Sequence, residues 1–310
     1  MTAQAPRTRR IRRRVDGVLL LDKPSGLSSN AALQRVRRAY DAEKGGHTGT
    51  LDPLASGLLP LCFGEATKFA QFLLDATKRY TATVRFGVTT TTGDAEGDVI
   101  ETRPIALAQC DVESALAAFM GRLTQIPPAH SALKFEGRNL YEYARAGIDV
   151  PRPPREINIA HLVLLAWNSP DAVLDVVCSK GTYIRVLAED IGRSLGCGAH
   201  LAGLRRTATG GFGIDGAVTL ADVEAMDDAA RDSMLLPVAA LLRELPPLRL
   251  AAADATRFRQ GGAVPAPGLA DGACAAFAGE ELLGVAHAVA GLAQPRRVVA
   301  ATPSTSDQRG

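Results

Sequence analysis

The chain has 310 residues, 46% of them hydrophobic, and a formal net charge of +2. That is enough apolar material to bury a sizeable core, and too little net charge to mark a polyanion-binding protein by composition alone. No stretch approaches the roughly 20 apolar residues that span a bilayer, and the N-terminus lacks the apolar run of a signal peptide, so a cytoplasmic location is the expectation.

In chain order, Arg7, Arg9, Arg10, Arg12, Arg13 and Arg14 form a basic arm, read as disordered over residues 1–15. Val18 to Leu21 is a short apolar run closed by the turn residues Asp22-Lys23-Pro24-Ser25-Gly26. Ser29 or Asn30 is placed to cap a helix carrying Leu33, Val36 and Tyr40 at helical spacing. A second helix is expected over Glu65 to Ala76, with Phe69, Phe72 and Leu73 on its buried side. At Tyr80 the period changes to two, and Tyr80, Val84 and Phe86 share one face of a strand. Asp111 is expected to cap a helix reaching about Gly121.

Gln125 to Arg155 carries Pro127, Pro128, Pro151, Pro153 and Pro154 around one short helical piece near Leu140 to Arg145, and reads as an insertion standing off the core. Strands return at His161 to Trp167 and Ala172 to Cys178, an amphipathic helix covers Tyr183 to Leu195, and Thr219 begins another short helix. Beyond Pro246-Pro247 the composition shifts to Ala, Gly and short alternating runs, ending in Leu282 to Ala286 and Arg297 to Ala300. This reads as a small β-rich domain over 245–301, with a disordered tail at 302–310.

The five cysteines form no CxxC pair, which argues against a disulfide framework and a cysteine zinc site. His130, His161, His200 and His287 show no ligand spacing, so neither metal nor cofactor is expected. Smaller basic groups recur at Arg35/Arg37/Arg38, Lys78/Arg79, Arg152/Arg155, Arg205/Arg206 and Arg296/Arg297, a spacing that suits phosphate contacts as well as solvated faces.

Chemistry concentrates in three places. The segment Gly46 to Pro60 sets Asp52 between glycines and an apolar run, on backbone stiffened by Pro53. That arrangement presents a nucleophile, although Asp before Pro also makes an ordinary helix cap. In Ser179-Lys180-Gly181-Thr182-Tyr183-Ile184-Arg185 a strand passes through a glycine turn into a helix and leaves Arg185 in the first turn, where a cation opposes the helix dipole and wants an anion. Lys78-Arg79-Tyr80 places an aromatic residue after two cations, either as core or as a stacking platform for a nucleobase.

Taken together with Gly17 to Pro24, these motifs closely resemble the bacterial TruB family of tRNA pseudouridine synthases, from about Gly17 to Thr207. Ser131 to Lys134, Leu140 to Arg145, Gly196 to Leu201 and Leu204 to Arg206 resemble it as well. The resemblance implies an α+β fold with a mixed, mainly antiparallel sheet flanked by helices over 16–244, an RNA-clamping insertion at 125–155, and a small PUA-like RNA-binding domain after it. It implies isomerisation of the T-loop uridine 55 of tRNA: the N-glycosidic bond is cut and the base is rejoined through carbon, without a cofactor.

By the resemblance, Asp52 is the nucleophile, Arg185 pairs with it, and Tyr80 stacks on the flipped uracil with the option of taking the proton from carbon five. Asp94 is expected to join the Arg185 network, against the alternative of a solvated turn carboxylate. His47, Tyr183, Leu204 and Lys23 are the expected substrate-binding residues. The atom attacked by Asp52 stays open. Two other readings are a tRNA-folding chaperone and a glycoside hydrolase, the latter needing a second catalytic carboxylate beside Asp52. The expected partner is the tRNA T arm, the expected state a monomer, with no membrane association.

Overall fold

A computed structural model describes residues 12–300; the expected arm before Arg12 and the expected tail from 302 lie outside them. The main element is a ten-stranded sheet whose central path runs Val218–Thr219, Gly17–Lys23, Ser56–Phe63, Ala199–Thr209, Lys78–Phe86, Asp171–Cys178, Arg155–Asn168, Gly121–Gln125. Gly17–Lys23 pairs in parallel with Val218–Thr219, and Ser56–Phe63 with Ala199–Thr209. The other neighbours are antiparallel, as the mainly antiparallel expectation requires.

Strand alternation sorts the side chains between two cores. Leu19 and Leu21 turn toward helices Ser29–Ala39 and Ile184–Ser194 and join Tyr80, Val84, Phe86, Leu187 and Ile191 in the larger core. Val18 and Leu20 turn the other way and meet Phe69, Leu73, Leu241 and Leu242. The second core also takes Ala275, Leu282 and Val285 from a separate five-stranded sheet built within Pro247–Val298. That small sheet, expected from the alternating composition, therefore docks through shared apolar burial rather than hanging from a linker.

Several boundaries differ from expectation for local reasons. The first helix is Ser29–Ala39, and Ser28 caps it by accepting from the Ala31 amide at 3.1 Å. The Glu65–Ala76 region is a 3-10 turn at Gly64–Lys68 followed by a short helix, Gln71–Asp75. Asp111 caps from inside the first turn of Gln109–Leu116, not from the N-cap position, its carboxylate accepting from the Ala108 amide at 2.7 Å. The last strand is Leu292–Val298, not Arg297–Ala300. Within the region read as a disordered arm, Arg13 pairs with Asp232 at 2.6 Å and Val15 is buried, so order begins before residue 16.

The insertion consists of a two-stranded hairpin, Lys134–Phe135 with Arg138–Asn139, followed by helix Leu140–Arg145. The helix coincides with the sequence expectation. No helix among the described residues is long and apolar enough to cross a membrane.

Candidate active site

Asp52 does not cap a helix. It sits in an irregular loop between the short strand Gly45–His47 and Ser56–Phe63, closed by the Ala55 amide donating to the Asp52 carbonyl at 3.1 Å. The buried Ser29 hydroxyl accepts from the Leu51 amide at 2.7 Å and donates to the Leu51 carbonyl at 3.0 Å. The Gly26 amide donates to the Pro53 carbonyl at 2.8 Å. The residue before and the residue after Asp52 are thus both fixed to the Lys23–Ser29 turn and helix start.

Arg185 comes from the first turn of Ile184–Ser194, as the glycine turn led one to expect. Its side chain is only 5% exposed, and its Nη2 lies 3.0 Å from Asp52 Oδ2, whose side chain is 43% exposed. The Nε lies 3.5 Å from Asp94 Oδ2. Nη1 donates to the Thr92 carbonyl at 3.0 Å and Nη2 to the His130 carbonyl at 2.7 Å. One guanidinium therefore ties together the Asp52 loop, the Thr92–Asp94 turn and the base of the insertion.

Asp94 is buried, which overturns the solvated-turn alternative. Its Oδ1 accepts from Thr92 Oγ1 at 2.5 Å and from the Glu96 amide at 3.1 Å, which leaves Oδ2 to face the Arg185 guanidinium.

These groups border a cleft of about 370 Å³ that Tyr80, Tyr183, Leu204, Ser131, Arg155 and Lys78 help to line. Tyr80 lies on the inner face of Lys78–Phe86, 8% exposed, with its phenol pushed above the ordinary value by burial, against the opposing pull of the nearby Arg206 guanidinium. The Tyr183 phenol is raised by burial as well. Asp52 is the one carboxylate in the cleft lining among the described residues, alongside Lys78, Arg155, Arg185 and Arg206.

Two expected binding residues are placed differently. Lys23 is 0% exposed, and its Nζ is spent on the Pro24 and Leu27 carbonyls at 2.8 and 2.6 Å. It does not reach the cleft surface; it braces the turn that holds Pro53. His47 is half-buried on the strand before the Asp52 loop and does not line the cleft; burial, then the Arg206 charge, keeps its imidazole below the ordinary value.

Ser29, Lys78, Arg155 and Arg206 were not singled out as site residues. For Lys78 and Arg206 the signal was present but doubled, because each is one of two adjacent basic residues on a strand and alternation sends the pair to opposite faces. Arg79 turns away to Asp175 at 2.6 Å and Arg205 to Asp22 at 2.7 Å.

The description TruB family pseudouridylate synthase (N terminal domain) matches residues 37–184, and tRNA pseudouridylate synthase B C-terminal domain matches residues 185–243. The chain belongs to the TruB family. It is 55% identical over 307 residues to tRNA pseudouridine synthase B of Burkholderia mallei (strain ATCC 23344), covering 96% of this chain and 99% of that relative. It is 53% identical over 290 residues to tRNA pseudouridine synthase B of Thiobacillus denitrificans (strain ATCC 25259 / T1), covering 93% and 97%. The fold is similar to the solved structure of a Cbf5-Nop10-Gar1 complex, with a TM-score of 0.72 at 26% identity over 91% of this chain and 84% of that one. Family likeness thus runs past Thr207, and the second family match ends before the small sheet begins.

Proposed function

We propose that this chain isomerises uridine 55 in the T loop of tRNA, with Asp52 as nucleophile, Arg185 as its counter-ion and Tyr80 as the platform for the extruded base. As a member of this family with tRNA pseudouridine synthase B relatives at more than half identity, it is a tRNA pseudouridine synthase that converts uridine in tRNA to pseudouridine. The reaction breaks the bond between the sugar and base nitrogen one and forms one to base carbon five. Carbon five loses a proton and nitrogen one gains one, so no redox step or phosphate energy enters.

The observation that carries this reading is Asp52, the sole carboxylate in the cleft lining among the described residues, facing Arg185 at 3.0 Å. A nearby guanidinium favours the ionised form and fixes its direction. A hydrolase would want a second carboxylate on the cleft, and Asp94 is instead shut behind Arg185. Extrusion of the base costs on the order of a few kcal/mol, which stacking on Tyr80 and contact with Tyr183 and Leu204 would offset. In this reading Asp94 holds Arg185, and Lys23 acts indirectly, through the turn it braces. His47 meets the RNA beside the extruded nucleotide.

The insertion at 125–155 closes over the T arm, the 247–298 sheet is an accessory RNA-binding unit, and the enzyme works as a cytoplasmic monomer. Incubating a uridine-containing tRNA transcript with the protein and mapping pseudouridine by carbodiimide adduct and primer extension tests the position. A product elsewhere than position 55 contradicts it.

A further inference from the structure

The largest fully buried side chain among the described residues is a cation, Arg206, at 1% exposure. No carboxylate pairs with it among the described residues. Its Nε donates to the Leu58 carbonyl at 2.7 Å and its Nη2 to the Gly49 carbonyl at 3.3 Å. These two acceptors bracket Asp52 in the chain, Gly49 before it and Leu58 after it. The guanidinium therefore spans the two ends of the nucleophile loop from below.

Glycines flank Arg206 on the loop and on the neighbouring strand. Gly49 has φ +91, and a Cβ there would sit 3.5 Å from Arg206 Nη1. Gly57, directly opposite Arg206 in the parallel pair, has φ +100, and a Cβ there would come within 2.3 Å of the Arg206 carbonyl. On the other side Arg206 stands directly opposite Tyr80 in the antiparallel ladder, with its guanidinium beside the phenol. The planar guanidinium places Nε and Nη2 on carbonyls nine residues apart in the chain, a span its fixed fork sets and a single ammonium nitrogen would have to reach from one point.

We propose that Arg206 is a positioning residue of the isomerisation: a buried strut that holds both ends of the Asp52 loop and sets that loop against Tyr80. Burying an unpaired charge is unfavourable in itself, so a pure packing role would be served better by an apolar side chain. The inference rests on the reading of Asp52 as nucleophile. It assigns Arg206 no contact with the reacting atoms; it acts through the placement of two groups that have them.

The test compares Arg206→Gln, Arg206→Lys, Gly49→Ala, Asp52→Asn and the core variant Val84→Ala on a uridine-containing tRNA transcript, reading kcat, KM, tRNA Kd and Tm. Arg206→Gln is expected to lower kcat by about 100-fold, the scale of a misplaced reacting group, while Kd for tRNA is unchanged. Arg206→Lys is expected to recover part of that loss. Val84→Ala opens the same core away from both contacts, and is expected to lower Tm while keeping wild-type kcat.

Should Arg206→Gln not fold, Gly49→Ala strains the loop end that Arg206 holds, because φ +91 disfavours a side chain there, and a fall in kcat at unchanged Kd is expected there too. Wild-type kcat in Arg206→Gln or in Gly49→Ala overturns the proposal, as does an equal kcat loss in Val84→Ala. Full activity in Asp52→Asn removes the nucleophile reading itself. An inactive Asp52→Asn beside a fully active Arg206→Gln removes only the strut.

Discussion

Arg185 and Asp52 meet at 3.0 Å across a sharp difference in surroundings: the guanidinium is buried and the carboxylate opens into the cleft. The buried partner is held from behind by Asp94 and by the Thr92 and His130 carbonyls, so its direction is set before any substrate arrives. A carboxylate held this way needs little reorganisation to attack, which is where an enzyme gains rate.

Removing the guanidinium strands Asp94 in the interior. Arg185→Met is expected to cost about 3–5 kcal/mol of stability, the range for breaking a buried pair, and to abolish measurable turnover. Asp94→Asn keeps the shape and Arg185, and is expected to lower kcat more than tenfold with tRNA binding intact. Urea denaturation and a single-turnover assay separate the two effects; wild-type kcat in Asp94→Asn contradicts the network.

Ser29 provides a test independent of charge. Ser29→Ala leaves the Leu51 amide and carbonyl without their partner next to Asp52, at a cost of about 1–3 kcal/mol for an orphaned buried group. Lower kcat at unchanged tRNA affinity is expected. Ser28→Ala, which removes only the helix cap, is expected to cost about 1 kcal/mol and to leave kcat alone.

Tyr80 combines a ring and a hydroxyl that substitution can separate. Burial raises the phenol, so it can take the carbon-five proton only after giving up its own. Tyr80→Phe keeps the ring and is expected to bind tRNA normally while turnover falls by about 100-fold or more, in the range of a lost proton-transfer group. Tyr80→Ala is expected to lose in addition about 1–3 kcal/mol of stacking on the extruded base. Filter binding with both variants checks the split; equal turnover in Tyr80→Phe and wild type would leave the hydroxyl without a role.

Stability should respond to alkali in a defined order. Burial lowers Lys23 and Lys78 from 10.5 to about 8, so above pH 8 the folded protein has shed protons that the unfolded chain still binds, and stability rises with pH. Burial raises Cys62 to about 12 and Cys178 to about 11 from 9.0, so above pH 9 the unfolded thiols ionise first and stability falls. A Tm maximum between about pH 9.5 and 10 is expected, with the rise between pH 8 and 9 reduced in Lys78→Met. A Tm falling steadily from pH 7.5 would contradict buried lysines.

Much of this site was legible in the sequence, and what was not has a common cause. Asp52, Tyr80 and Arg185 stand in motifs whose residue types announce their chemistry, Tyr183 and Leu204 follow only from the family resemblance, and the structure brings all five to one cleft. The insertion helix was legible because prolines isolate it. The strand pairs Lys78/Arg79 and Arg205/Arg206 looked like surface charge, because nothing local says which member turns inward. Ser29 or Asn30 fits a helix cap, since either precedes an apolar period; the clasp of Ser29 on Leu51 depends on a contact 22 residues away. Lys23 sits in a family motif, yet its burial follows from the turn folding back over its amine, which only tertiary structure reveals.

The central claim is that Asp52 attacks as the tRNA uridine is isomerised at position 55. A uridine-containing tRNA transcript incubated with wild-type protein and with Asp52→Asn, then mapped for pseudouridine by carbodiimide adduct and primer extension, tests it most directly. The account predicts a single stop at position 55 with wild type and none with Asp52→Asn, at equal tRNA affinity. Product formed by Asp52→Asn at the wild-type rate contradicts the mechanism, and tight binding without product from the wild type points instead to a tRNA-folding chaperone.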